Sequence, residues 1–196
     1  MKKLIRIGLL SAALLATVVA NASEKLNVKV ASKASKILSI SLAEVTKGET
    51  IYVKDFNGEI LFSEVLKKTD VYNKVFSVST LPEGLYFIES KEEGKIQSTP
   101  FLVSAVDVAI VESAIKTYVA PTITIKNNVM NVLINNDNHS DVSISVFNEV
   151  GTLLNKSNHN TNTIVVGSFD VSKLSYKKLI VSVTEGDYNF TKEIEL

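Results

Sequence analysis

The chain has 196 residues, no Cys, no Trp, and 21 acidic groups against 21 basic ones. This length suits one or two small globular domains. The lack of Cys excludes disulfide scaffolds, thiolate metal sites and Cys nucleophiles, so packing alone must hold the fold.

The first 22 residues have the pattern of a secretory signal peptide. Lys2, Lys3 and Arg6 form a positively charged start, residues 7–20 are almost wholly apolar, and Ala20-Asn21-Ala22 is a cleavage site of the A-x-A type. The alternative is a membrane anchor, which needs about 20 consecutive apolar residues, and Arg6 interrupts the run. We predict cleavage after Ala22, export to the periplasm or to the cell surface and medium, and no transmembrane segment in the mature chain.

The predicted mature chain, from Ser23 onward, is mildly acidic and contains no Arg. Its 21 acidic groups outnumber its 18 Lys by three. Nucleic-acid recognition relies strongly on the bidentate guanidinium group, and the densest basic spots are only the pairs Lys67-Lys68 and Lys177-Lys178. We therefore do not expect nucleic acid as a partner.

The chain aligns with itself at an offset of 93 residues, which pairs 51–103 with 144–196 without a gap. Nine of the 53 pairs are identical, where chance gives roughly three. The identical pairs are Ile51/Ile144, Val53/Val146, Gly58/Gly151, Leu61/Leu154, Phe76/Phe169, Val78/Val171, Ser79/Ser172, Leu81/Leu174 and Glu92/Glu185. A slip of one residue after Leu81 also aligns Gly94 with Gly186 and Ile88 with Ile180. We interpret this pattern as one unit present twice.

Apolar residues in both units alternate with period two, which is typical of strands with one buried face. Turn signals such as Asn57-Gly58 separate the strands. No window outside the signal shows a helical period, which excludes α/β nucleotide folds. We predict an all-β chain of two tandem Ig-like antiparallel β-sandwiches: domain 1 at 23–104, a connecting segment at 105–118 that forms an extra strand, and domain 2 at 119–196.

The stretch 76–88 carries an L-x-x-G-x-Y pattern at Leu81, Gly84 and Tyr86, with Gly94 in the next turn. It resembles exported Bacteroidetes β-sandwich modules, which include the C-terminal sorting domains of the type IX secretion system. The resemblance implies an Ig-like sandwich of an exported protein. In the second copy, counted from Leu174, Lys177 stands at the Gly position of the pattern and Leu179 at its Tyr position.

Two of the motif residues, Gly84 and Tyr86, also have a purely structural interpretation. Gly84 would permit a backbone conformation that a Cβ disfavours. Tyr86 would bury its ring and keep its hydroxyl at the rim of the sandwich.

Three residues at alternate positions, Asp137, His139 and Asp141, are the best candidates for metal ligands. Residues 135–141 lack the central Gly of an EF-hand loop, and the alternative is a turn in which Asn and Asp side chains cap their own backbone. We predict no bound metal and no cofactor.

Catalytic sets are lacking in the sequence. The first unit has no His, and no G-x-S-x-G motif occurs. Glu89, Glu92, Glu93 and Glu185 could supply paired carboxylates, but we expect them at solvated hairpin tips, where a general acid lacks the partial burial it needs. We predict that the protein is not an enzyme.

The remaining hypothesis is an exported, non-catalytic module with a structural or interaction role at the cell envelope or surface, linked by its resemblance to type IX sorting. Its partner would be a protein or a glycan. The alternative is a carbohydrate- or peptide-binding module, with aromatics outside the predicted core as its platform. These aromatics are scattered along the sequence: Phe56, Tyr72, Tyr118, Tyr176 and Tyr188.

Overall fold

A computed structural model describes residues 25–67, 71–160 and 162–196. The predicted signal peptide and its cleavage site lie outside the described residues. Strands β1 to β7 are Leu26–Ser32, Ile37–Leu42, Thr50–Asp55, Ile60–Val65, Tyr72–Ser77, Gly84–Glu92 and Lys95–Val103. Two short strands follow, β8 at Val108–Ile110 and β9 at Lys116–Val119, separated by a 3₁₀ turn at Glu112–Ala114. Strands β10 to β16 are Thr122–Lys126, Val129–Asn135, Val142–Asn148, Leu153–His159, Ile164–Asp170, Lys178–Glu185 and Tyr188–Glu195.

The described residues form antiparallel sheets throughout and contain no α-helix, which confirms the predicted all-β class. In this part of the chain no helix reaches the length and apolar character needed to cross a membrane.

The first seven strands form two sheets, in the orders β1-β2-β5 and β4-β3-β6-β7. The fourth strand pairs with the third, whereas in a constant-type Ig domain it joins the sheet of the first two strands. Strands β10 to β16 have the same arrangement, β10-β11-β14 and β13-β12-β15-β16.

Each set of seven strands encloses its own hydrophobic core. In β12 the buried residues Val142, Ile144 and Val146 alternate with more exposed ones, as the period-two pattern predicts. The first core contains Leu26, Leu38, Ile40, Leu42, Ile51, Val53, Tyr86, Ile88, Phe101 and Val103, among others. The second contains Met130, Val132, Ile134, Val142, Ile144, Val146, Val165, Phe169, Leu179, Val181 and Val183, among others.

The turn between the third and fourth strands has the same geometry in both halves. The Asp55 carboxylate accepts hydrogen bonds from Asn57 N at 2.9 Å and Glu59 N at 2.8 Å. At the position 93 residues later, the Asn148 side chain accepts from Val150 N at 3.1 Å and Thr152 N at 2.8 Å. The turns use Gly58 and Gly151, both at φ +83°, a conformation that residues with a Cβ rarely adopt.

The last hairpins of the two halves align without the one-residue slip that the glycines suggested. Glu92 pairs with Lys95 across the first hairpin, and Glu185 pairs with Tyr188 across the second. Both pairs are 93 residues apart, so Gly94 and Gly186 occupy different positions of equivalent turns. Their alignment was an error that followed from matching residue type instead of strand register.

The connecting segment adds two strands to one edge of the first domain. Both β8 and β9 pair with β7, β8 near its end and β9 near its start. The outer edge of β7 is therefore covered over most of its length.

Candidate functional site

The tip of the β15–β16 hairpin lies on the outer face of the β6–β7 pair. Tyr188 donates a hydrogen bond from its hydroxyl to Glu89 Oε1, and Lys54 Nζ lies 2.6 Å from Glu89 Oε2. The Tyr188 ring also packs against Tyr118 of β9, with 4.0 Å between ring centroids. Glu89 points away from the first core, yet it is only 5% exposed because the second domain covers it.

The two tyrosines in this contact keep their protons at neutral pH. Burial, and next the hydrogen bond to Glu89, raise the pKa of Tyr188 well above its ordinary range. Burial, followed by the charges of Asp187, Glu185 and Glu89, raises the pKa of Tyr118 to about 12. Tyr188 is therefore a hydrogen-bond donor to Glu89 at every physiological pH.

A second polar contact joins the connecting segment to domain 2. Asn138 donates from Nδ2 to Thr117 O at 2.6 Å and to Glu185 Oε1 at 3.0 Å, and its Oδ1 accepts from Thr117 N at 3.3 Å. Glu185 is completely buried, and among the described residues its Oε2 has no hydrogen-bond partner. Burial raises the pKa of this carboxyl.

Beside the Tyr188–Glu89 contact lies a cleft of about 560 Å³. Its floor is the outer face of β3, β6 and β7, where Lys54 pairs in register with Phe87, and Phe87 with Pro100. The turn at 55–58 forms one wall, residues 111–116 form another, and Asp187 with Tyr188 closes a third side. We call this space the interdomain cleft.

Three of the five aromatics that are scattered in the sequence line this one cleft: Phe56, Tyr118 and Tyr188. These three are therefore close in space although they are far apart in the sequence. The other two, Tyr72 and Tyr176, pack against the first and second cores respectively.

Phe87 and Lys116 are among the cleft residues that sequence reasoning missed, and Phe87 carried a signal. Phe87 lies on β6 between the core residues Tyr86 and Ile88, so the alternation points it outward, where its ring is available to a contact surface. Lys116 carried no such signal, since its place at the cleft depends on how β9 pairs with β7.

The expectation that the candidate carboxylates sit at solvated tips is wrong for Glu89 and Glu185, which are both buried. Glu92 is partly buried and forms an ion pair with Lys25, with Nζ and Oε2 3.0 Å apart. Contacts with other strands bury these carboxylates, and hydrogen bonds hold them in place. Their positions near turns in the sequence did not predict this burial. Glu93 is exposed, as expected.

The candidate metal ligands lie in a turn that is held by amide side chains. The buried Asn136 accepts a hydrogen bond from Ser140 N at 2.9 Å and donates to Ser140 O at 2.8 Å. Asp137 accepts from Asn135 at 3.1 Å, His139 has a positive φ of 50°, and Asp141 lines a separate groove that includes His159. Within the described ranges, no three His, Asp or Glu residues are grouped so that they could hold a metal ion.

The L-x-x-G-x-Y pattern forms a tyrosine corner at the entrance to β6. Tyr86 donates a hydrogen bond from its hydroxyl to Pro82 O at 2.9 Å, and its ring stacks on Phe101 with 5.5 Å between centroids. Leu81 packs on the first core. The pattern thus ties the loop before β6 to the strand that follows it.

The two glycines of the pattern have different roles. Gly94 has φ +75° in the β6–β7 turn. Gly84 does not adopt a positive φ, and an added Cβ would meet the Tyr86 ring at an ordinary 3.6 Å. The expectation that Gly84 adopts a backbone conformation that a Cβ disfavours was therefore wrong.

The described residues form paired antiparallel sheets, and the first domain carries a tyrosine corner. Residues 21–104 match the family model of the secretion system C-terminal sorting domain. The match confirms the resemblance found in the sequence for this part of the chain. It supports an exported protein.

Several solved structures are similar to the chain. The BSP domain of a biofilm associated protein has a TM-score of 0.31 and 14% identity, over 86% of this chain and 29% of that one. The FN1–FN3 domains of chicken CNTN1 have a TM-score of 0.29 and 10% identity, over 87% and 65%. Native alpha-2-macroglobulin from Escherichia coli, spanning domains MG0-NIE-MG1, has a TM-score of 0.27 and 9% identity, over 88% and 64%. The chain thus spans less than two thirds of each of these chains. No curated protein sequence matches it.

Proposed function

We propose that this is an exported, non-catalytic protein of the cell envelope or surface, in which two duplicated β-sandwiches act together as a structural and interaction module. The match of residues 21–104 to a sorting-domain family carries this proposal. The common sheet order and the equivalent turns at Gly58 and Gly151 support the duplication.

The geometry of the buried Glu89 carboxylate supports a role for this residue without catalysis. Glu89 is held by Lys54 and Tyr188, so both of its oxygens have partners. A general acid or base needs a free oxygen that faces the substrate. Purified folded protein should be inactive on a broad panel of esters, peptides and glycosides, and turnover that copurifies with the protein would contradict this part of the proposal.

The experiment on export uses the full chain with an internal tag in its native host. We expect an N-terminus at Ser23 by mass spectrometry of the exported form. Cells are then fractionated, and protease is added to intact cells. Full-length protein retained in the cytoplasm with Met1 in place would overturn the proposal.

The link to type IX sorting needs a separate test, because the matched residues 21–104 are followed by the connecting segment and by domain 2. Location of the tagged chain is compared in cells with and without a working type IX secretion system. Loss from the surface and accumulation in the periplasm of the deficient cells would support sorting by this route. An unchanged location would contradict sorting by the type IX system and would indicate that the signal peptide alone directs export.

Ligand binding, to a carbohydrate or a peptide, is the second candidate function. The interdomain cleft favours it, because it gathers Phe56, Phe87 and Tyr188 with charged side chains in a space of about 560 Å³. Small-molecule sites have this size and this mixture of apolar walls with a few polar groups.

A further inference from the structure

We propose that the interdomain cleft binds a neutral saccharide, with Phe56 and Phe87 as its stacking surfaces and the surrounding charged and amide side chains as hydrogen-bonding partners. This inference rests on the ligand-binding role proposed above and names the class of ligand. It does not depend on the route of export.

The floor of the cleft offers an apolar surface of the kind that a sugar ring covers. Phe87 is half-buried, and its neighbours across the strands are Lys54 and Pro100. Sugar rings carry C–H groups on one face and hydroxyls around the edge, so they match an aromatic floor with a polar rim. Aromatic side chains with an apolar body and a polar surround are common in such recognition.

The rim supplies both donors and acceptors. Lys116 and Asp187 are exposed and belong to none of the ion pairs formed among the described residues. Lys54 lies on the floor of the cleft, and Asp55 and Asn57 belong to the turn that forms one of its walls. A ligand with many hydroxyls can donate to the carboxylates and accept from the ammonium groups at the same time.

The charges of the lining disfavour an ionic ligand. Three carboxylates, from Asp55, Glu89 and Asp187, share the lining with two ammonium groups, from Lys54 and Lys116. A phosphate or a polyanion would meet the carboxylates, and a cation would meet the lysines, whereas phosphate sites are built from cationic or amide donors. A neutral ligand avoids both costs.

The cleft also lacks what a peptide most often uses on a sheet. An extended peptide binds by adding a strand to a free edge. Here β8 and β9 already occupy the edge of β7 that borders the cleft. The cleft therefore offers side chains instead of backbone groups, which favours the saccharide over the peptide.

Phe56 distinguishes the turn at 55–58 from the equivalent turn in domain 2. It is 72% exposed at the wall of the cleft, and the residue 93 positions later is Glu149. The next residue of that second turn, Val150, is 80% exposed, and it does not line the cleft. The aromatic side chain is present only where the cleft is, and this gives the test a matched control.

The test uses the purified mature chain, probed by isothermal titration and by protein NMR with neutral oligosaccharides: cellohexaose, mannohexaose, xylohexaose and chitohexaose. Oligogalacturonate serves as the acidic comparison, and a library of short peptides as the alternative ligand class. The variants are Phe56→Ala, Lys116→Met and, as the control, Val150→Ala. All three positions are exposed, so the variants should fold, and each is checked by thermal melting.

We expect at least one neutral oligosaccharide to bind, with NMR shifts confined to the cleft. Phe56→Ala should weaken that binding about tenfold, since aromatic stacking contributes up to about 1.4 kcal/mol. Lys116→Met should weaken it several-fold, and Val150→Ala should leave it unchanged. The proposal is overturned if no neutral oligosaccharide binds, if Phe56→Ala binds as tightly as the parent, or if peptides or the acidic sugar bind at the cleft instead. None of these outcomes would affect the proposal of export.

Discussion

Tyr188 donates a hydrogen bond from its hydroxyl to Glu89, a residue 99 positions earlier and on the other β-sandwich. Glu89 is also paired with Lys54, so one buried carboxylate receives a charge partner from its own sheet and a phenol from the second domain. This arrangement fixes the tip of the β15–β16 hairpin on the face of β6 and forms one side of the interdomain cleft.

Replacing Tyr188 by Phe should weaken the attachment of the two domains. The ring contact with Tyr118 remains, but Glu89 Oε1 loses its donor while it stays buried, which costs about 1–3 kcal/mol. Urea unfolding monitored by circular dichroism measures this loss. Tyr176→Phe is the control, because the Tyr176 hydroxyl has no hydrogen-bond partner among the described residues, and its free energy of unfolding should change by less than about 0.5 kcal/mol. Equal effects of both variants would contradict the role assigned to Tyr188.

The tyrosine corner makes a prediction about the family pattern itself. Tyr86→Phe removes the hydrogen bond to Pro82 O and should cost about 1–2 kcal/mol. Gly84→Ala should be nearly neutral, because the added Cβ meets only an ordinary contact and φ is not positive. Gly58→Ala is the comparison, since φ +83° should make it cost about 1 kcal/mol. Thermal melts of the three variants rank these effects. A larger loss of stability at Gly84 than at Gly58 would contradict the different roles given to these two glycines.

Strands and cores could be predicted from the sequence because period-two alternation is a local property. Residues such as Ile144 and Val146 are buried where the alternation places them. The Tyr188–Glu89 contact could not be predicted, since Glu89 alternates like a solvent-facing residue and its contact with Tyr188 comes from another domain. The role of Gly84 was misjudged because the sequence does not show which glycines have a positive φ.

The equivalent phenylalanines of the two domains should differ in their contributions to stability. Phe169 is buried in the second core, so Phe169→Ala should cost about 3–5 kcal/mol. Phe76 is only half-buried at the edge of the first core, where it contacts Phe62 edge-to-face at 5.0 Å. Phe76→Ala should therefore cost less, about 2 kcal/mol. Denaturant unfolding of the two variants checks the order, and a reversed order would contradict the burial of Phe169.

A close approach in the second core gives a further prediction. An added Cβ at Gly167 would come within 2.7 Å of Ile144 Cδ1 and 3.1 Å of the Phe169 ring. Gly167→Ala should therefore overpack the core and cost about 1–3 kcal/mol. The double variant Gly167→Ala with Ile144→Val removes the clashing methyl group and should recover part of this loss in the same unfolding assay. A single variant as stable as the parent would show that the strand moves to make room.

The buried carboxyl of Glu185 predicts a dependence of stability on pH. Burial raises its pKa in the folded protein above the ordinary 4.5 of the unfolded chain, so the folded state holds this proton more tightly. Its contribution to stability is therefore greatest at acid pH and is lost as the pH rises from 4.5 through the raised folded pKa. Glu185→Gln should stabilise the protein at neutral pH relative to the parent, and this difference should vanish on acidification.

Glu64 gives a control of opposite sign for the same experiment. The hydrogen bond from Lys74, at 2.6 Å, lowers the pKa of Glu64 in the folded protein. The stability from this group is present above the unfolded pKa and is lost as the pH falls through the lowered folded pKa. Glu64→Gln should therefore destabilise the protein at neutral pH, with a small effect because the pair is partly exposed. As the pH rises from acid to neutral, the melting temperature of Glu185→Gln should rise above that of the parent and the melting temperature of Glu64→Gln should fall below it. The reason is that ionisation of Glu185 destabilises the folded protein, whereas ionisation of Glu64 stabilises it. A Glu185→Gln variant that melts below the parent at neutral pH would show that this carboxylate has a partner that compensates its burial.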